Sequence, residues 1–440
     1  VIKKRIQEAT FPFLAANITE KASGTPITWH NTLPSTMVNV EGIQVGIIGL
    51  ASPSTPLTTR PQNVAELQFL NPQPVLIREA SRLRENGAQL IIVVSHMGDK
   101  CPDTQNPNDL SSCNGRGELF SLLESMPKNL IDVAVGGHTH SVIAHWIGST
   151  ATIEAAYRGK KFTWVEACLG ADGQMDRETT SIHPPVDTCL TTWADGQCGF
   201  RESPTETIPA TYRGKTVQIH AKVKAAVQPF IDEVSLTRNA IIGSTLPKPF
   251  LRTPKQGLSL GDAVAEAMRR SIQADVGIQN RGGVRADLPA GALVYGNAYH
   301  VLPFGNQVTS MELTGAQLHA VVAHITKRHL GHPPHIAGLL VSNEDDDLRL
   351  MHMSGTAIER SRTYRVATND FLATGGMGLG RILQHIPQTA ISIEPVLLLD
   401  AFIEFLKKEF PTPVVEVPHT PDAIPAGRVS PSPESSSENP

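Results

Sequence analysis

Residues 90–98 read LIIVVSHMG and residues 131–140 read IDVAVGGHTH. Each stretch opens as a short, unbroken apolar run rich in β-branched residues and closes in a histidine motif. A run without alternation suits a strand covered on both faces, the usual condition in a parallel sheet. Ligands gather beyond the carboxyl ends of such strands, so His96, His138 and His140 are expected to converge there. Neutral imidazoles suit a borderline transition ion, and the adjoining glycines allow backbone to come close to a metal or a phosphate.

The flanking sequence supports the same sheet. Val45 to Leu50 (VGIIGL) has the same buried-strand character. Between it and residue 90, Pro74 to Asn86 sets Leu76, Ala80 and Leu83 on one helical face and stops at Gly87, a fitting left-handed residue beyond a helix end. A second helical stretch, 117–126, leads to the third strand at 131–135. This alternation predicts an α/β unit with a mostly parallel sheet.

Residues 187–209 are polar and rich in Thr, Gly and Pro. Residues 217–234 (VQIHAKVKAAVQPFIDEV) have helical character with Pro229 inside, and are expected to form a connecting helix. A new unit opens near Thr237. Ser259 to Asp262 (SLGD) fits a capping box before 263–272, where Val264, Ala267, Met268 and Ile272 share a face. Mixed α and β character continues to about residue 411. The remaining Pro/Ser-rich stretch is too poor in apolar groups to offset its ordering entropy and is expected to be disordered.

The 440 residues exceed what one hydrophobic core usually supports, so two or three domains are expected. The net charge of −4, without a basic run, offers nucleic acid no electrostatic footprint. No apolar stretch reaches the roughly 18 residues that a bilayer span requires. Val1 to Ala9 lacks the apolar core of a signal peptide, so the start reads as a mature end or a truncation. Cys101 and Cys113 bracket one polar loop, Cys189 and Cys198 another. Each pair looks like a loop staple, with ordinary unpaired cysteines as the alternative and zinc disfavoured by the lack of C-x-x-C spacing. Stapled loops would imply an oxidising compartment, with Cys168 left as a free thiol. His319, His324, His329, His332 and His335 do not hold one helical face and are expected on a solvated surface.

Taken with SHMG (95–98) and GGHTH (136–140), four later blocks carry a specific resemblance. They are IQNRGGVR (278–285), VLPFGN (301–306), MELTGAQL (311–318) and YRVATNDFLATGGMG (364–378). Together they resemble the 5′-nucleotidase family, of the UDP-sugar hydrolase/5′-nucleotidase type. The resemblance implies an α/β chain with an incomplete two-sheet, metallophosphoesterase-like (calcineurin-like) domain over residues 1–214 and a linker helix over 215–236. A mixed α/β 5′-nucleotidase C-terminal, substrate-binding domain would occupy 237–411, followed by a disordered tail over 412–440. It further implies two divalent metal ions (Zn, Mn or Co) in the complete protein, with His96 and His138 as ligands of one and His140 of the other. Asn280 and Arg285 would hold the nucleotide, Phe304 and Phe371 would sandwich the base, and Arg252 is the nearest match to a further arginine. No catalytic residue is assigned.

Three departures from the family stand out. Its D-x-H and G-N-H-E/D motifs, which supply anionic metal ligands and a histidine that stabilises the transition state, occur nowhere in the 440 residues. An N-terminal truncation is therefore expected. Met377 stands in GGMG where the family has an aspartate for the ribose hydroxyls, and Arg281 stands where a small residue is usual. The expected activity is metal-dependent hydrolysis of 5′-nucleotides by a periplasmic or extracellular protein whose partner is a small-molecule nucleotide. The alternatives are a nucleotide-sugar or NAD pyrophosphatase of the same family, and a non-catalytic nucleotide-binding protein.

Overall fold

In the computed structural model, which describes residues 2–198, 206–254, 257–329, 331–344 and 347–413, the first unit is built on six strands. They are β1 (Ser35–Val40), β2 (Ile43–Leu50), β3 (Leu90–Ser95), β4 (Val133–Val135), β5 (Val142–Ile147) and β6 (Thr150–Ala155). Their order is β1-β2-β3-β4-β6-β5. The four inner strands are parallel, and β1 and β5 close the edges antiparallel. The other strand pairs of this unit are two-stranded ladders. Helix α1 (Pro72–Glu85) starts two residues before the expected Pro74, because the Asn71 side chain accepts from the Gln73 N–H and Pro72 occupies the first turn. Just past its end, Gly87 has φ +92°, where a side chain would be strained. Val75, Leu76, Ala80 and Leu83 of α1 are buried, and they join Ile48, Ile91, Val93 and Phe120 in one core.

Helix α2 (Glu118–Glu124) precedes β4. Because β3 and β4 are adjacent and parallel, with Val94 opposite Val135, their carboxyl ends lie side by side. The two histidine loops are neighbours for that reason. Both expected disulfides are present, Cys101–Cys113 and Cys189–Cys198, and Cys168 is free and exposed.

The connecting helix is α3 (Ala221–Asn239), displaced toward the C-terminus from the expected 217–234. The cause is a tight hairpin: Arg213 (φ 49°) and Gly214 (φ 74°) turn the chain back, so that Lys215–Thr216 pairs with Thr211–Tyr212. The second unit follows with α4 (Leu260–Ser271), β7 (Val276–Gln279), β8 (Gln307–Thr314), α5 (Gly315–Arg328), β9 (His335–Ala337), β10 (Thr363–Asn369), β11 (Ile391–Leu397) and α6 (Leu398–Glu409). Its sheet runs β9-β7-β10-β8-β11, and only β7 and β10 pair in parallel. The capping box is formed as read, Ser259 and Asp262 each satisfying the other's backbone N–H. Leu260, Val264, Met268 and Phe402 pack in one core, and Ile278, Leu318, Val322 and Tyr364 in a second.

Two expectations fail here. Of the five histidines at 319–335, His332 is exposed as expected, while His319, His324 and His329 are half-buried and His335 is buried. His335 is 5% exposed, with Nδ1 3.2 Å from both Ser259 Oγ and Asp262 Oδ1. His319 and His324 place Nε2 on the carbonyls of Leu348 and Met377. Long-range carbonyl, hydroxyl and carboxylate partners, invisible to local spacing, hold His319, His324 and His335. The chain is also still ordered at residue 412, because Pro411 bridges to Ser244 and the Thr412 N–H bonds the Gly243 carbonyl. The rest of the expected tail, 414–440, lies outside the described residues.

Candidate nucleotide and metal site

The loop after β3 carries His96 and the loop after β4 carries His138 and His140. His138 (φ 74°) and His140 (φ 57°) both adopt the left-handed backbone region, uncommon for a residue with a side chain and typical of constrained functional loops. The rings of His96 and His138 lie edge to face with centroids 5.0 Å apart. Partial burial lowers the pKa of His96, and the neighbouring His138 adds to this, with Glu118 opposing. His140 is lowered by burial first, then by Arg285, His138 and Arg158. Both imidazoles are thereby biased toward the neutral form that ligates metal.

What holds these loops was not legible beforehand. Glu154, on β6, is 1% exposed and lies behind them. Its carboxyl oxygens are 2.8 and 2.9 Å from Thr139 Oγ1, and it also meets the backbone of Ser141 and Asp99. Thr139 Oγ1 lies 2.7 Å from the Asp99 carbonyl as well. A hydroxyl has one proton, which it cannot donate both to that carbonyl and to a carboxylate. A protonated Glu154 resolves the conflict by donating to Thr139 while Thr139 donates to Asp99. Burial, the largest influence, raises the Glu154 pKa to about 7. One sequence signal existed, a glutamate in the otherwise uncharged strand TATIEA.

A second missed carboxylate is Glu118, at the start of α2. It accepts from Ser54 Oγ, and its buried Oε2 has no hydrogen-bond partner. The donor set does not fit a two-ion centre. Among the described residues, the one group of three or more His, Cys, Asp or Glu whose ligand atoms lie within 4.8 Å of each other is Cys101, Cys113 and His145, none of them in the expected set, and its cysteines are bonded to one another. His96, His138 and His140 neighbour one another without meeting that condition, and no carboxylate completes them.

The second unit brings its residues up to these loops. Arg285 donates from Nη1 to the Gly282 carbonyl at 3.1 Å, and its Nη2 lies 3.4 Å from His140 Nδ1. Its guanidinium carbon sits 5.7 Å from the centre of the Phe304 ring. Burial, then Arg158 and Arg252, hold its pKa below the usual arginine value. His140 in turn stacks on Tyr157, with centroids 4.8 Å apart. Arg252 is exposed and pairs with Asp287 at 3.2 Å.

Asn280 is buried, its Oδ1 accepting from Asn369 Nδ2 at 2.9 Å. Phe304 is 55% exposed and open to stacking. Phe371 is half-buried against Gly376, where a Cβ would come within 2.5 Å of the ring. Met377, with φ 57°, offers only its carbonyl to a polar partner, His324. Arg281 is turned away, its Nε on the Pro333 carbonyl. A cavity of about 540 Å³ lies elsewhere, between Phe162, Tyr212 and the Cys189–Cys198 bridge, and none of the expected site residues lines it.

Comparison with known proteins agrees with this architecture. Residues 242–385 match the 5′-nucleotidase C-terminal domain family. Over 423 residues the chain is 24% identical to the cell wall protein Lmo0130 of Listeria monocytogenes, covering 90% of this chain and 50% of that one, so it spans half the length of this relative. It is likewise 24% identical to the protein UshA of Escherichia coli, over 87% of this chain and 70% of that one. The fold is similar to that of a 5′-nucleotidase precursor from Thermus thermophilus, with TM-score 0.71 and 21% identity, covering 93% of this chain and 78% of that one. Residues 242–385 are thus similar to a 5′-nucleotidase C-terminal domain, in the stretch where the signature blocks lie.

Proposed function

We propose that this chain acts in the metal-dependent hydrolysis of 5′-nucleotides, with its second unit recognising the nucleotide and its first presenting the histidine loops. The observation that carries the reading is the approach of Arg285 to His140, 145 residues apart in sequence, under the exposed ring of Phe304. A guanidinium between an aromatic ring and the histidine loops suits a ligand with a flat base at one end and phosphate at the other. Arg158 and Arg252 add positive charge around Arg285. Because the described donors do not fit two ions, we derive no step through them. The two disulfides fit an oxidising compartment, so the proposed location is periplasmic or extracellular.

A second reading, non-catalytic nucleotide binding, is favoured by the absence of a carboxylate among the clustered histidines. Phosphate release separates the two. The substrates are 5′-AMP and, with added phosphatase, UDP-glucose, each with Mn²⁺, Co²⁺ or Zn²⁺ and a chelator control. Chelator-sensitive release from either substrate supports the hydrolase. Tight nucleotide binding without release supports the second reading, and absence of both removes the first.

A further inference from the structure

Helix α3 leaves an apolar face unpartnered. None of its residues is buried. Val223, Val227, Phe230, Ile231 and Val234 follow one another at intervals that keep them on one side of a 3.6-residue helix. Their exposures are 58%, 43%, 67%, 45% and 52%. Scattered exposed apolar residues need no explanation, but five in one helical stripe do. Residues of the stripe recur at 223, 227, 230 and 234, positions symmetric about a point between 228 and 229.

The charges select the occupant. Lys222 and Lys224 lie toward the start of the helix, and Asp232 and Glu233 toward its end. A second copy of α3 laid antiparallel would set Val223 against the partner's Val234 and Val227 against the partner's Phe230. In the same register Lys222 and the partner's Glu233 lie on the same flank of the contact, two residues apart along the axis. Parallel pairing would instead put lysine beside lysine and carboxylate beside carboxylate. A two-fold contact requires a self-complementary patch, and this stripe is one. We infer that α3 is a self-association surface through which two copies of this chain pack antiparallel. A single helix pair is smaller than the interface of a permanent dimer, so the association is expected to be reversible.

Sedimentation velocity of the full chain across a range of concentrations tests this. The expected result is a shift from monomer toward dimer, abolished by Phe230→Lys or Val227→Lys. Lys222→Glu and Glu233→Lys should each weaken association about tenfold or more, and the double variant should restore it. Since all four positions are exposed, unchanged circular dichroism is expected in each variant. A monomer at every concentration overturns the inference, as does a dimer indifferent to Phe230→Lys and Val227→Lys. Failure of the double variant to recover overturns the antiparallel register.

Discussion

Arg60, in the first unit, reaches Asp370 in the second, Nη2 to Oδ2 at 2.8 Å, while the same nitrogen lies 3.2 Å from the Gly305 carbonyl. Asp370 is 5% exposed and is held from its other oxygen by Asn306 Nδ2 at 2.6 Å. One guanidinium thus ties the loop that ends in Phe304 and the turn that bears Phe371 to the opposite unit. This ion pair joins the two units directly.

Arg60→Ala should loosen that attachment. Because the Arg60 side chain is 38% exposed, the stability cost should be only about 1 kcal/mol. The larger effect should be geometric, a rise in the radius of gyration by small-angle X-ray scattering. An unchanged scattering curve would show that other contacts hold the units.

Glu154 makes stability depend on pH in an unusual direction. Its folded pKa, about 7, lies above the unfolded value of 4.5. Its contribution is therefore fully present below about pH 4.5 and is lost as pH rises through 7, by on the order of 3 kcal/mol at most. Glu154→Gln keeps the neutral shape and should flatten this part of the stability profile in urea unfolding between pH 4.5 and 7.5. Equal slopes in both proteins would refute the protonated state.

Asp132 is 4% exposed, 2.6 Å from Arg84 Nη2, and accepts from the Ile91 N–H. Burial raises its pKa despite the arginine, so desolvation outweighs the pairing. Removing the cation alone should be worse than removing both charges. Arg84→Met should cost about 3 kcal/mol, and the double change with Asp132→Asn distinctly less, both read from chemical denaturation.

Phe304→Ala should leave the melting temperature nearly unchanged, since that ring is mostly exposed, yet weaken nucleotide binding by about 10- to 100-fold if a base stacks on it. Phe371→Ala should weaken binding similarly and also reduce stability. Isothermal titration with AMP distinguishes them. Full affinity in Phe304→Ala would remove that ring from the proposed site.

Sequence pattern was a good guide wherever structure repeats locally. Continuous apolar runs located β2, β3 and β4, and the apolar face with its Gly87 stop placed α1 to within two residues of its start. The capping box at Ser259 was readable because its two partners are three residues apart. The contacts that build the site are not of that kind. Thr139 meets Glu154 from a neighbouring strand's loop, and Arg285 meets His140 across 145 residues, so periodicity carried no trace of either. The histidines of α5 misled for the same reason, their partners lying on distant backbone carbonyls. Helix α3 begins at Ala221 rather than at 217, after a hairpin at 211–216 that left no trace in the apolar pattern.

Glu154 lies on β6, which pairs along its length with β5 at the edge of the first sheet. The order of both histidine loops is therefore borrowed from a hairpin rather than from the central strands they follow. Were that hairpin to fray while β2 and β3 stayed paired, the loops would lose their clasp in a chain otherwise still folded. Amide exchange should then report the Thr139 and Ser141 N–H groups opening together with β5 and β6, well before the core strands. The durability of the site would be that of its outermost hairpin, not that of the protein.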